Sequence, residues 1–203
     1  MALGDPYATP EELADRIGTP DDGSYMGFVY TATRMVDAFT GRQFNKTEDA
    51  TERRFRALDL ERLPVDDFHT LDDLIVVVDD TTLTINTDFE PRPFDGVVNG
   101  LSGWPFYDLM GVNRYWPIGR RRATIEVTAQ WGWAEVPIPI VEATLRLANR
   151  LWDSSGSESG RIRSETISGY SVSYEIPELG SMQNVPPELI PAIPYRRKRF
   201  GVA

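Results

Sequence analysis

The chain contains no cysteine, a single histidine and two lysines in 203 residues. Without cysteine there is neither a disulfide framework nor a thiolate nucleophile, so stability must come from packing, within the chain alone or with neighbouring subunits. One histidine, His69, stands between Phe68 and Thr70; it cannot form a histidine triad with a second imidazole or build a typical zinc site, and it reads as a loop residue in a turn. The lysines are Lys46 and Lys198, and no Gly-x-x-x-x-Gly-Lys-Ser/Thr loop is present, which leaves phosphate cleavage by the P-loop route unsupported. Also missing is any run near the roughly 18 apolar residues of a membrane span, and Met1–Pro10 lacks a basic region followed by an apolar stretch. The expectation is a cytoplasmic chain with no membrane partner, no cofactor, no metal and no catalytic set.

Acidic residues are plentiful: 31 against 21 basic ones, a net charge of −10. Such a balance argues against a broad face that grips nucleic-acid phosphates. Charge is unevenly placed, since Arg196, Arg197, Lys198 and Arg199 lie together and residues 1–195 alone carry −14. That basic end is either a solvated tail or a docking segment for an acidic partner. The doublets Asp66-Asp67, Asp72-Asp73 and Asp79-Asp80 offer oxygen ligands for a hard cation, but their spacing is not that of an EF-hand, and aspartates are also what turns between strands prefer. Paired carboxylates of the glycosidase kind need two acids singled out by context, and nothing singles out two.

Hydrophobic residues make up 41% of the chain and aromatics 11%, within the range of folded globular proteins. Thr9-Pro10-Glu11-Glu12 places a hydroxyl at the N-cap, proline at the first helical position and a carboxylate at the third, so a short helix is expected over 10–17, stopped by Gly18. Tyr25, Phe28, Val29, Ala32, Met35, Val36 and Phe39 recur at three- and four-residue steps and predict a second helix over 21–40, ended by Gly41. The period then changes to two. Strands are expected near Thr51–Ala57, Leu74–Val78 and Thr82–Ile85, the last two forming a hairpin, and again from Ala123 to Trp131.

Between the hairpin and that last strand, residues 86–118 hold Pro91, Pro93, Pro105 and Pro117 and seven of the aromatics, a composition that predicts a long irregular excursion. Trp104, Phe106, Tyr107, Tyr115 and Trp116 in it can fill a subdomain core, meet another protein or stack on sugar rings. Arg120-Arg121-Arg122 beside it is either an anchor for an acidic neighbour or a solvated strand entry. Ile138, Val141, Leu145, Ala148 and Trp152, flanked by Ile140, Thr144, Leu147 and Leu151, predict a third helix over 137–153. Its apolar stripe is wide enough for more than one packing partner, another subunit included. A Ser/Gly-rich stretch, 154–160, leads to a second expected hairpin, Arg161–Ile167 with Tyr170–Ile176. Prolines at 186, 187, 191 and 194 then allow only a short helical turn before the basic arm.

The order of these pieces resembles the head-to-tail connector (adaptor) proteins of tailed bacteriophages. The likeness lies in the opening "YATPEELADRIG", in a helix ending "VDAFTGRQF" with its Thr40-to-Phe44 step, and in "VTAQWGWAEVPIPIVEATLRLANRLW". In the last of these a strand runs through Gly132-Trp133 and Val136-Pro137 into a helix of the Ala143-to-Leu151 style, and a closing Tyr195-Arg196-Arg197 completes the pattern. It covers most of residues 7–152. The departure is the insertion from Asn45 to Arg122, longer and more aromatic than in compact members. The fold that follows is α+β: a helical core made of 1–44 and 123–153, a β-rich insertion at 45–122, and a linker, hairpin and docking arm at 154–203.

The resemblance implies a non-enzymatic virion protein of the neck, found in the host cytoplasm during assembly. It implies a homo-oligomeric ring, commonly of twelve subunits, bound under the portal protein and offering its other side to a stopper or tail-terminator protein. Double-stranded DNA would pass the lumen without sequence-specific binding. Pro186, Pro187, Leu189, Ile190, Tyr195, Arg196, Arg197, Lys198, Arg199 and Phe200 are then the portal-docking arm, ordering only on contact. Trp104, Phe106, Tyr107, Tyr115, Trp116, Arg120, Arg121, Arg122, Arg146 and Arg150 are candidates for subunit or neck-partner contacts. The competing readings are a carbohydrate- or surface-binding module using the aromatic loop, another neck protein such as a stopper or tail terminator, and an enzyme with a pocket that the sequence does not display.

Overall fold

A computed structural model describes residues 4–57, 59–98, 100, 102–119, 124–156 and 185–197. The expected hairpin at 161–176, Arg120 to Arg122, and Lys198 to Phe200 lie outside the described residues. The fold is α+β. It divides into two compact units, Met1–Arg42 with Pro137–Ala203, and Gln43–Val136.

The first unit is helical. Helix α1 (Pro10–Ile17) starts with a reciprocal cap: Thr9 Oγ1 accepts from the Glu12 amide at 3.2 Å, and Glu12 Oε2 accepts from the Thr9 amide at 2.8 Å. Helix α2 spans Tyr25–Thr40, four residues shorter at its start than the apolar spacing suggested. Asp21 and Asp22 account for the difference. Their carboxylates accept from the amides of Gly23, Tyr25 and Ser24 at 2.9–3.1 Å, which holds 21–24 in side-chain-closed turns that compete with helix. Both helices end on a left-handed glycine, Gly18 (φ 76°) and Gly41 (φ 65°).

Helix α3 (Ile138–Gly156) buries Ile140, Ala143, Thr144, Leu147 and Ala148. Its wide stripe has several partners within this chain: α2, α1 and a 3-10 segment, Pro187–Tyr195. The further packing partners expected of this helix are thus supplied within the chain.

The second unit holds two antiparallel sheets. One has the order β1-β7-β3-β4 and comprises Thr51–Phe55, Ile125–Ala129, Ile75–Val78 and Thr81–Thr82. The other has the order β2-β6-β5 and comprises Arg62–Phe68, Phe106–Gly111 and Phe89–Arg92. Both contribute to one core, with Leu63, Val65, Phe68, Phe89 and Leu109 from the three-stranded sheet and Val76, Val78, Ile125, Val127 and Ala129 from the other. Asp79 and Asp80 (φ 49° and 63°) form the two-residue turn between β3 and β4, where both central residues need positive φ.

Three expectations are corrected here. Residues 86–118 are not an irregular excursion, because they contain β5, a 3-10 turn at Phe94–Gly96 and β6. The prolines misled: Pro91 lies in β5 and Pro64 in β2, both edge strands where a missing N–H is tolerated, while the central strand β6 has none. Asp66-Asp67 is not a turn but the end of β2, whose Leu63 and Val65 alternate inward. And 123–136 belongs with the β unit, since β7 is an interior strand paired on both sides, with β1 and β3.

Candidate interaction surfaces

The C-terminal segment sits in a built seat. Leu189 and Ala192, three residues apart, face inward and are buried. The Arg42 Nε donates to the Tyr195 carbonyl at 2.8 Å, the Arg197 amide donates to the Thr40 carbonyl at 2.7 Å, and the Arg196 guanidinium lies 4.9 Å over the Phe39 ring. At the other end Arg150 pairs with Glu188 at 3.0 Å. The end of α2, whose Thr40 carbonyl accepts from Arg197, and α3, which packs against the segment, together make this seat. Pro187, Ile190 and Pro194 point outward. Within the chain, Leu189 and Ala192 of this expected docking arm already have packing partners. Burial also raises the Tyr195 phenol above its ordinary value.

The aromatic candidates separate by depth. Trp116 is 1% exposed, with Nε1 donating to the Leu109 carbonyl at 3.1 Å, and Trp104 is 9% exposed, 5.1 Å from the Trp133 ring. Phe106 is half-buried against Phe68, Tyr107 is half-buried, and Tyr115 is 69% exposed. Trp104 and Trp116 are thus core residues and offer no face to a partner or a sugar. Tyr115 is the one candidate of the five that stands out into solvent. Its neighbours in the chain, Val112 and Ile118, and Leu60, whose carbonyl accepts from the Trp116 amide at 2.8 Å, are exposed apolar residues that sequence reading passed over. Only their depth marks them, since sequence periodicity does not reach a loop.

Arg146 and Arg150 lie exposed on α3, each engaged with an acid. Arg146 shares Glu142 with Arg16 of α1, and the hydrogen bonds from Arg16 and then Arg146 pull the Glu142 carboxyl down to about 2. Asp37 moves the other way: burial raises it, against the Tyr7 hydroxyl and Arg34 that contact it. His69 is half-buried at the end of β2, its amide donating to the Gln130 carbonyl at 3.1 Å, and burial lowers its imidazole. Asp108, on the middle of β6, is buried with Oδ2 held by Arg62 and Oδ1 without a hydrogen-bond partner among the described residues. Among the described residues no group of three or more His, Asp or Glu is placed to hold a metal ion, and no helix is long and apolar enough to cross a membrane.

No known protein family matches this sequence, and no curated protein matches it. Solved structures do share the fold. A chain of the neck of an empty gene transfer agent particle, computed with C6 symmetry, superposes with a TM-score of 0.57 at 11% identity. A chain of the neck of the native particle, computed with C12 symmetry, gives 0.55 at 11% identity, and one from the native virion gives 0.52 at 14%. Each comparison covers 100% of this chain and 96% of the other. At such identities the likeness is one of fold.

Proposed function

We propose that this chain is a structural neck subunit of a phage-like particle, an adaptor that forms a ring under the portal and joins the DNA-filled head to the tail. The observation that carries this reading is the end-to-end fold likeness to chains from gene transfer agent necks, one of them computed with C12 symmetry. A partial match would leave room for a common helical motif, whereas one covering both units asks for the same architecture. The order of motifs noted in the sequence points the same way. In the proposed ring the role is mechanical, with no turnover, and twelve copies are the expected number. A wall carrying part of the −10 charge per subunit would repel phosphates, so that DNA passes without sticking.

In this reading the C-terminal region meets the portal through the outward side of the seated segment, Pro187, Ile190 and Pro194, together with the basic end from Arg196. Tyr115 and its exposed neighbours are in this reading a contact for another subunit or a neck partner. The carbohydrate-binding alternative is narrowed, because both tryptophans of the loop are buried and Tyr115 is the one exposed ring among its five aromatic candidates.

The test is mass in solution, by light scattering on purified chain with and without the cognate portal. A portal-bound ring is expected. A chain that stays monomeric and indifferent to the portal overturns the adaptor reading. Truncation after Ile176 is expected to abolish portal association, and normal association of the truncated chain removes the docking role of the arm.

A further inference from the structure

Residues 157–186 connect the end of α3 to the seated C-terminal segment, and their number exceeds what the return requires. Glu188, near the start of the segment, pairs with Arg150, which lies within the last two turns of α3. A return between such positions takes about 2–8 residues in helical proteins. The chain uses 30, of which 14 remain outside the hairpin expected at 161–176. Those 14 alone would span up to about 50 Å if extended, against about 28 Å for the whole length of α3.

We propose that the segment Pro187–Arg197 is exchanged in the assembled protein, each copy seating its segment on the α2–α3 seat of the next copy. The proposal rests on the ring reading and names the contact that ties one subunit to its neighbour. Every interaction of the seat survives the exchange unchanged: Leu189 and Ala192 still bury, the Arg42 Nε still finds a Tyr195 carbonyl, the Thr40 carbonyl still accepts from an Arg197 amide, and Arg150 still meets a Glu188. An identical element in an identical site costs no new surface, and this is why exchange is a low-cost route to association. The contact is heterologous, since seat and segment are different surfaces of one chain, and a heterologous contact repeated around an axis closes into a ring. Lengthening a connection raises closure entropy only slowly, so the long linker holds the segment near both seats at little cost.

The absence of cysteine makes the test clean, and one position is almost made for it. A β-carbon built on Gly41 would lie 3.6 Å from the Arg197 β-carbon, within the β-carbon separation of a disulfide, about 3.5–4.5 Å. The full-length double variant Gly41→Cys/Arg197→Cys would be assembled, its mass measured by light scattering, then oxidised and run on a denaturing non-reducing gel. Exchange predicts a ladder of covalent dimers, trimers and larger species at the expense of monomer. Monomer of altered mobility only, from material that scatters as a ring, overturns the exchange and leaves the ring standing. Monomer only, from material that never exceeds the mass of one chain even with portal present, overturns the ring and the exchange together. Gly41 has a positive φ, so in case the first pair disturbs folding Arg150→Lys, whose amine would meet the Glu188 carboxylate across the same ion pair, is coupled in parallel with a zero-length carbodiimide and read on the same gel against the parent chain.

Discussion

Gly132 lies so close under the backbone of Asn45 that a β-carbon there would fall 2.7 Å from the Asn45 carbonyl carbon and overlap its oxygen. The crossing sets Trp131 and Trp133 to different duties. Trp131 joins Phe55 and Phe68 in the sandwich core with Arg53 over its ring at 4.4 Å, while Trp133 packs on Phe44 and Trp104. Gly132→Ala is expected to cost about 3 kcal/mol or more, backbone strain and overlap together. Gly103→Ala, also at positive φ but with nothing within 4 Å, should cost only about 1 kcal/mol. Urea unfolding followed by tryptophan fluorescence compares them; equal losses would mean that the crossing is not a constraint.

Trp133 also donates its Nε1 to the buried Asp67 carboxylate at 3.0 Å. Trp133→Phe keeps much of the ring and removes this charge-assisted bond, for an expected loss of about 1.5–3 kcal/mol. The same unfolding measurement decides. A variant as stable as the parent would place the value of Trp133 in its packing alone.

Glu142 predicts a pH dependence. Its carboxyl sits at about 2 in the fold, below its usual value of 4.5, so its contribution is fully present above pH 4.5 and is lost as pH falls from there toward 2. The side chain is about one-third exposed and screened, which reduces the contribution to about 1 kcal/mol. Parent and Glu142→Gln should differ by that amount at pH 7 and converge near pH 2. A difference independent of pH would assign the effect to packing.

Leu189→Asp should unseat the C-terminal segment, because a carboxylate cannot enter the site that Leu189 fills without a partner. Trypsin cleavage after Arg196 and Arg197, followed by mass spectrometry, is expected to accelerate at least tenfold. An unchanged rate would mean that the segment is held by Arg42, Arg150 and backbone contacts rather than by its apolar face.

Much of the fold was legible where two signals coincided. The cap at Thr9 and the glycine at 18 bracket α1 on the page as in the structure, and the 3.6-residue period located α2 and α3. Legibility failed where one residue type carries two meanings. Proline reads as a breaker, and only sheet order reveals that Pro64 and Pro91 lie on edges; aspartate reads as a turn, yet Asp67 closes a strand beneath Trp133. The candidate surfaces were less legible still. Nothing in the local sequence separates Tyr115 from Trp116, adjacent residues at opposite depths, because the tertiary hydrogen bond from Trp116 to Leu109 decides which one turns inward.

The edge prolines bear on how copies of this chain can meet. In the ring proposed for this chain, copies gathered around one axis would reach a local concentration at which bare strand edges could zip together into open-ended fibres. Pro64 on one flank of the three-stranded sheet and Pro91 on the other each interrupt the row of donors that such pairing needs. Crowded copies are thereby denied that sheet as a shared surface, and growth by sheet extension through it is blocked before it can compete with orderly closure.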